Sequence, residues 1–141
     1  MVTSNRFAVA IHIMSLLDLD KDERLTSDHI AGSVNTNPVV IRRIIGMLAK
    51  AGLVQTSPGV AGASITRPLD EISLLDIYRA VQSHTQEELF AIHDKPNPAC
   101  PTGRNIQSSL EEVFAEAQQA MEDKLASIRL SQVTQSIASK I

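Results

Sequence analysis

A chain of 141 residues, 43% hydrophobic and 21% charged, has room for one compact domain with an attached arm and is too apolar for a disordered polymer. With aromatics at 3% and no tryptophan, its core has to be built from Ile, Leu, Val, Met and Ala. The net charge of −3 hides an asymmetry: residues 1–67 carry seven Lys or Arg against five acids, a net +2, and residues 68–141 carry six against eleven, a net −5.

No apolar run approaches the ~20 residues that a membrane span requires. Phe7 to Leu17 is interrupted by His12 and followed by acids, so it is expected to be neither a signal peptide nor a span. A single cysteine, Cys100, excludes an intramolecular disulfide framework and fits a cytoplasmic location. No nucleophile–base pairing, phosphate-cradling glycine loop or paired-acid motif stands out, so neither an enzyme nor a cofactor is expected.

In chain order, Phe7, Ile11, Met14 and Leu17 recur at helical spacing and predict a first helix from about Ser4 to Leu19. A charged loop, Asp18 to Arg24, follows. The hydroxyls of Thr26 and Ser27 offer an N-cap for a short helix to about Ser33 with Ile30 and Ala31 inward, and Gly32 to Thr36 reads as a turn. Asn37-Pro38 then signals a third helix, with Asn as cap and Pro in the first turn, ended near Ala51 by Gly52. Leu53 to Thr56 and Ala63 to Thr66 are predicted strands around the turn Pro58 to Gly62. Ser73 and Asp76 form a capping box, stapled by Ile72 and Ile77, for a helix through Val81.

His84 to Arg104 is polar, holds Pro96, Pro98 and Pro101, and reads as a linker with one helical turn at Glu87 to Ile92. From about Asn105 a long helix sets Ile106, Leu110, Val113, Ala117, Met121, Leu125 and Ile128 on one stripe, a seam made for another helix. Glu111, Glu112, Glu116, Glu122 and Asp123 are its wet face, and Val133 and Ile137 predict a short terminal helix. The expected class is mainly α with a small β-hairpin wing. It divides into a winged helix-turn-helix over 1–83, a linker or sensor segment over 84–104, and a dimerisation helix with tail over 105–141.

The third helix carries the strongest functional signal. At 100° per residue, Ile41, Ile44, Ile45 and Leu48 share one face, and Val39, Arg42, Arg43 and Gly46 share the other. Four aliphatics anchoring a helix that presents two arginines beside small residues suit the major groove of double-stranded DNA, where arginine bonds guanine or clamps phosphate. The plain alternative is a solvated face of an amphipathic helix. Phosphate contacts are expected from Ser4, Asn5 and Arg6, and from Thr26 and Ser27, where hydroxyls and free amides favour anions. Asn37, Lys50, Ser57 and Gly59 complete the nominated DNA-binding set. Simple capping is the competing role for several of them.

The run Asn37 to Val54 (NPVVIRRIIGMLAKAGLV), the glycine-containing wing and the segment Pro68 to Ile77 (PLDEISLLDI) together resemble the Rrf-two family of winged helix-turn-helix transcriptional regulators. That family includes the iron–sulfur cluster regulator and the nitric-oxide-sensitive repressor. The resemblance spans nearly the whole chain and implies a homodimer with crossed long helices, acting on a palindromic operator. Typical members open the wing with arginine and close it with Gly-Gly-Tyr. Here Ser57 to Ser64 has neither, so the resemblance does not extend to minor-groove reading. Cluster-binding members place three cysteines before the last helix, and this chain has one, which excludes that cluster. The likeness is to single-cysteine members with an Asn-Pro-x-Cys-Pro segment, here Asn97 to Pro101.

These readings point to a DNA-binding regulator, a repressor responding to a thiol or small-molecule signal. Cys100 is its candidate redox sensor, since Arg104 and a nearby helix start favour the thiolate; the alternative is an inert, semi-buried cysteine, free cysteine being among the most buried residue types. The alternatives are a winged-helix module that binds protein, and a metal-dependent sensor using Cys100 with His84 and His93, whose spacing matches no zinc pattern. His12 and His29 read as a packing residue and a solvated one, and the methionines as core fillers.

Overall fold

The computed structural model describes residues 5–21, 24–82, 90, 93 and 95–141. Its elements are α1 (Arg6–Leu19), α2 (Ser27–Val34), α3 (Pro38–Lys50), β1 (Val54–Ser57), β2 (Val60–Ile65), a 3-10 turn (Leu69–Glu71), α4 (Leu74–Val81), α5 (Pro101–Ser127) and α6 (Leu130–Ala138). Among the described residues this is a head of four helices, α1 to α4, with an antiparallel two-stranded wing between the third and fourth, followed by a long helix and a short one. The mainly α class with a hairpin wing is what the sequence predicts.

Local signals place most helix ends. Thr26 accepts a hydrogen bond from the His29 amide at 3.1 Å and starts α2. Asn37 accepts one from the Val39 amide at 2.8 Å and starts α3, with Pro38 inside its first turn. Ser73 and Asp76 exchange reciprocal 3.0 Å bonds that start α4. The predicted turn at Gly32 to Thr36 falls later, because α2 runs on through Val34. Asn35 makes the left-handed step (φ 64°) and Thr36 N–H bonds the Ala31 carbonyl at 3.0 Å. Asparagine tolerates that conformation better than other non-glycine residues.

The wing is fastened to the end of α3. Gly52 (φ +80°) turns the chain, Gly52 N–H bonds Ala49 O, and Leu53 N–H bonds Leu48 O, both at 3.0 Å. Thr66 then closes the hairpin base, bonding the Leu53 carbonyl through its amide (3.1 Å) and the Gly52 carbonyl through its hydroxyl (2.6 Å). Only Pro58 and Gly59 (φ +74°) lie between the strands, so the second strand starts at Val60 rather than near Ala63. A proline–glycine pair fits the two central positions of a tight turn. An irregularity beside Thr56 and Ser57 absorbs the surplus residues of β2.

One core joins all of this. Ala10, Ile13, Met14, Ile30, Ile41, Ile44, Leu48, Leu53, Ile72 and Ile77 are at most 1% exposed, and Leu130 of α6 joins them at 0%. The sequence groups the tail with the long helix, yet α6 packs on α1 and the 3-10 turn. Ser73 and Arg129 pair as an antiparallel bridge, through Leu74 N–H to Ile128 O (2.9 Å) and Leu130 N–H to Ile72 O (2.8 Å). Arg79 of α4 and Glu122 of α5 add an ion pair at 3.0 Å, a contact on the face assigned to water. Ile45, expected on the buried face of α3, is only half-buried against the core edge.

The long helix starts at Pro101, inside the span assigned to the linker, because Pro101 occupies the first helical turn. Of the turn expected at Glu87 to Ile92 only Phe90 is described, its ring 5.3 Å from that of Phe114, and His84 falls outside the described residues. No residue of α5 is fully buried, and Val113 is 55% exposed. Leu125 and Ile128 pack against the head, so the free part of the stripe runs from Ile106 to Met121.

If α6 belongs to the head, Leu130→Ala should cost ~2–5 kcal/mol of stability, as emptying a fully buried leucine site does. The midpoint of a denaturant titration followed by circular dichroism reads it. A loss within about 0.5 kcal/mol, the range of surface substitutions, would show that the tail is not part of the core.

Candidate nucleic-acid interface

The geometry of α3 separates anchoring from presentation. Ile41, Ile44 and Leu48 are held in the core, at most 1% exposed, while Arg42, Arg43, Gly46 and Lys50 are exposed and Val39 is 49% exposed. Two guanidinium groups and an ammonium thus lie on one helix surface. No acid belongs to α3.

Between the start of α2, the flank of α3 and the wing lies an open groove of about 380 Å3. Thr26, Ser27, Arg42, Gly46, Thr56 and Val60 line it, together with the acid Asp28. Of the residues nominated from the sequence, Thr26, Ser27 and Arg42 therefore meet in one place. Thr56 and Val60 are not among the nominees, and the sequence reading places Val60 in the turn instead of at the start of a strand.

The remaining nominees are spread around this groove. Arg43, Val39 and Lys50 stand on α3 outside its lining, and Ser57 and Gly59 are exposed at the wing tip. Asn5 is exposed at the start of α1 and makes no side-chain cap, and Arg6 is half-buried. Ser4 lies outside the described residues. The two caps limit what their side chains can do. Asn37 Oδ1 is taken by the Val39 amide, leaving its amide nitrogen as a donor, so the paired donor and acceptor that reads adenine is not available. Thr26 Oγ1 accepts from His29 yet keeps its hydroxyl hydrogen for an anion.

The wing itself is neutral. Leu53 to Thr66 contains no Lys, Arg, Asp or Glu, so its contacts with a phosphate chain are confined to amides and hydroxyls.

Cys100 sits away from this surface, exposed at the cap of α5. The backbone N–H groups of Gly103 and then Thr102, at the open start of α5, hold the thiol below its ordinary pKa, although the Cys100 side chain does not form a cap hydrogen bond. Arg104, which the sequence sets beside the thiol, is not among the causes. The preceding turn is tight: Asn97 Oδ1 accepts from the Ala99 amide at 3.0 Å, and a Cβ at Gly103 would come within 2.5 Å of the Asn97 carbonyl oxygen. His12 Nε2 lies 2.9 Å from Ser33 Oγ, joining α1 to α2, and His29 is exposed. Among the described residues no three His, Cys, Asp or Glu side chains converge as a metal site.

An anchored helix presenting arginines, with a hairpin fastened at its end, matches known proteins over most of its length. The Rrf2 family model, described as an iron-dependent transcriptional regulator, covers residues 3–136. The chain belongs to the Rrf2 family. YwnA of Bacillus subtilis (strain 168), named as an HTH-type transcriptional regulator, is 53% identical over 130 residues, 92% of this chain and 95% of YwnA. A crystal structure described as that of a DNA binding protein is 48% identical and superposes with a TM-score of 0.75, covering 91% of this chain and 97% of the other. CymR of B. subtilis, titled the global cysteine regulator, shares the fold at 19% identity, with a TM-score of 0.67 over 96% of this chain and 97% of its own. This Rrf2 chain is accordingly a winged-helix transcriptional regulator and not an enzyme. Among its described residues no helix is long and apolar enough to cross a membrane.

Proposed function

We propose that this Rrf2 regulator binds a palindromic DNA operator as a cytoplasmic homodimer and represses by occupying it. The observation that carries the reading is the outward face of α3, where Arg42 and Arg43 flank Val39 and Gly46 on a helix fixed by three buried aliphatics. A rigid support matters because a base-edge hydrogen bond is lost when its donor strays by an ångström or so. In this reading α3 enters the major groove. Thr26, Ser27 and Lys50 grip phosphates on either side, with Asn5, Arg6 and Ser4 at the start of α1 and Ser57 and Gly59 of the wing touching backbone.

The dimer reading rests on the part of the α5 stripe that the head does not bury, the exposed Val113 and the half-buried Ile106, Leu110, Ala117 and Met121. Apolar side chains repeating at alternating three and four residues along a solvent-facing helix are satisfied by a second helix of the same kind. Two heads held by one pair of helices read two half-sites, and the two-fold axis of the protein becomes the palindrome of the operator.

Thiol response is the further element. Cys100 is exposed, its thiolate is favoured by two amides, and it sits where α5 begins. Modification of its sulfur removes the negative charge that those amides favour and adds bulk at the root of the dimer helix.

Each element has its own test. Arg42→Ala and Arg43→Ala should each weaken binding to an operator selected from random DNA by ~1–3 kcal/mol per half-site. Their stability should stay within about 0.5 kcal/mol of the parent. Affinity of the parent should fall steeply as salt rises. Parent-like binding by both variants in an electrophoretic mobility assay removes α3 from the interface.

For the dimer, Leu110→Glu combined with Val113→Glu should give folded monomers in analytical ultracentrifugation. This pair is preferable to cutting the chain before α5, which would also remove Leu130 from the core. Retention of the dimer would refute the seam.

For the thiol, a disulfide reagent should change the operator affinity of the parent, reversibly with reductant, and leave Cys100→Ser unaffected. Because the thiol's pKa is lowered, the parent's reaction should persist to a lower pH than that of an unperturbed cysteine. Equal responses from the two proteins would assign Cys100 a structural role.

A further inference from the structure

An exposed valine carries nothing by itself, since single apolar residues are common on protein surfaces. Val39 differs in where it stands. It is the second residue of α3 and 49% exposed, on a helix whose Ile41, Ile44 and Leu48 are at most 1% exposed. Arg42 and Arg43 follow it at the three- and four-residue spacings that share a helix surface. Gly46, two turns on along the same line, has open space where a Cβ would be.

The leading turn of α3 also has little left with which to read a polar base edge. Pro38 has no N–H, the Val39 amide is bound by Asn37 Oδ1 at 2.8 Å, and the Val40 amide bonds the Asn37 carbonyl at 3.0 Å. The Ile41 amide points to the same carbonyl, at 3.4 Å. At this end of the helix the outward surface is therefore an isopropyl group beside the one remaining amide nitrogen of Asn37. With the arginines one turn on and no side chain at Gly46 two turns on, that group can approach a base pair closely.

The major groove offers one apolar feature to such a group, the C5-methyl of thymine. We infer that Val39 is a specificity residue that packs on the methyl of one thymine in each half-site, beside the base edges or phosphates held by Arg42 and Arg43. The inference rests on the proposal that α3 enters the major groove. It adds the chemistry of one position: a thymine selected through its methyl group, with no hydrogen bond from the side chain. Cytosine, which has only hydrogen at C5 and an amino donor where thymine has its O4 acceptor, is disfavoured there.

The test replaces each thymine of the selected operator in turn by deoxyuridine, which keeps every hydrogen-bonding group and loses only the methyl. At one position per half-site the parent protein should bind about fourfold more weakly, and about 15-fold when both half-sites are changed, as expected for one buried methyl in each. Val39→Ala should bind the unmodified operator about fourfold more weakly per half-site and be indifferent to deoxyuridine at that position. Val39→Thr keeps the branched shape and shows by circular dichroism and binding that α3 is intact. Tolerance of deoxyuridine at every position overturns the inference, as does an equal loss in the parent and Val39→Ala. In both cases an operator is still selected, and the proposal for α3 is decided separately by Arg42→Ala and Arg43→Ala. A chain that selects no DNA overturns that proposal, and the thymine contact with it.

Discussion

The paired backbone hydrogen bonds between Ile72–Leu74 and Ile128–Leu130 hold the two halves of the molecule together. They lie beside Ile72 and Leu130, both fully buried, where a broken amide bond would leave unsatisfied groups without water. Because Ile72 follows the wing and Ile128 follows α5, this junction sets the direction in which the long helix leaves the head. The Arg79–Glu122 pair supports the same junction from its exposed side, with the modest strength expected of a partly solvated ion pair. Whatever α5 does at its far end, it does as part of the body that carries α3.

Within the head, the same economy governs the presenting surface. The hydrogen-bonded exit of α3, from Leu48 to Leu53, and the Thr66 closure make helix and wing a single unit. The core grips three aliphatics of α3 and leaves its arginines to water. The resulting division of charge is consistent with the sequence, in which a mildly basic front half precedes an acidic one. Neutrality of the wing means that the local positive potential comes from α3 itself rather than from the hairpin, in keeping with the missing wing arginine by which the sequence departs from typical members.

Much of this was legible because it is local. Thr26, Asn37 with Pro38, and the Ser73–Asp76 box each bond atoms only two or three residues away, so residue type and spacing suffice. The two faces of α3 follow from the helical period alone. What escaped the sequence depends on distant partners or on an ambiguous residue. Periodicity showed that Leu125 and Ile128 were to be covered, but not that the covering surface was the chain's own head. Pro101 was counted with two neighbouring prolines as a breaker, although a proline followed by a helical run is also a start signal. Gly32 suggested an early turn, which Asn35 makes three residues later. The groove lined by α2, α3 and the wing was invisible for the same reason: its walls come from three separate elements.

A head that is closed by residues from the far end of the chain has an order of completion. During synthesis the helix-turn-helix and the wing leave the ribosome well before Ile128 and Leu130. Until those residues emerge, the apolar side of Ile72 has no cover from α6, and the amide of Leu74 and the carbonyl of Ile72 lack the partners found in the finished protein. The contacts that close the core are long-range ones, which form late because a long loop must first be brought together. By then all of α5 has also been made. Synthesis therefore couples the maturation of the head to the arrival of the long helix, and a truncated nascent chain carries an unsealed core instead of a finished head.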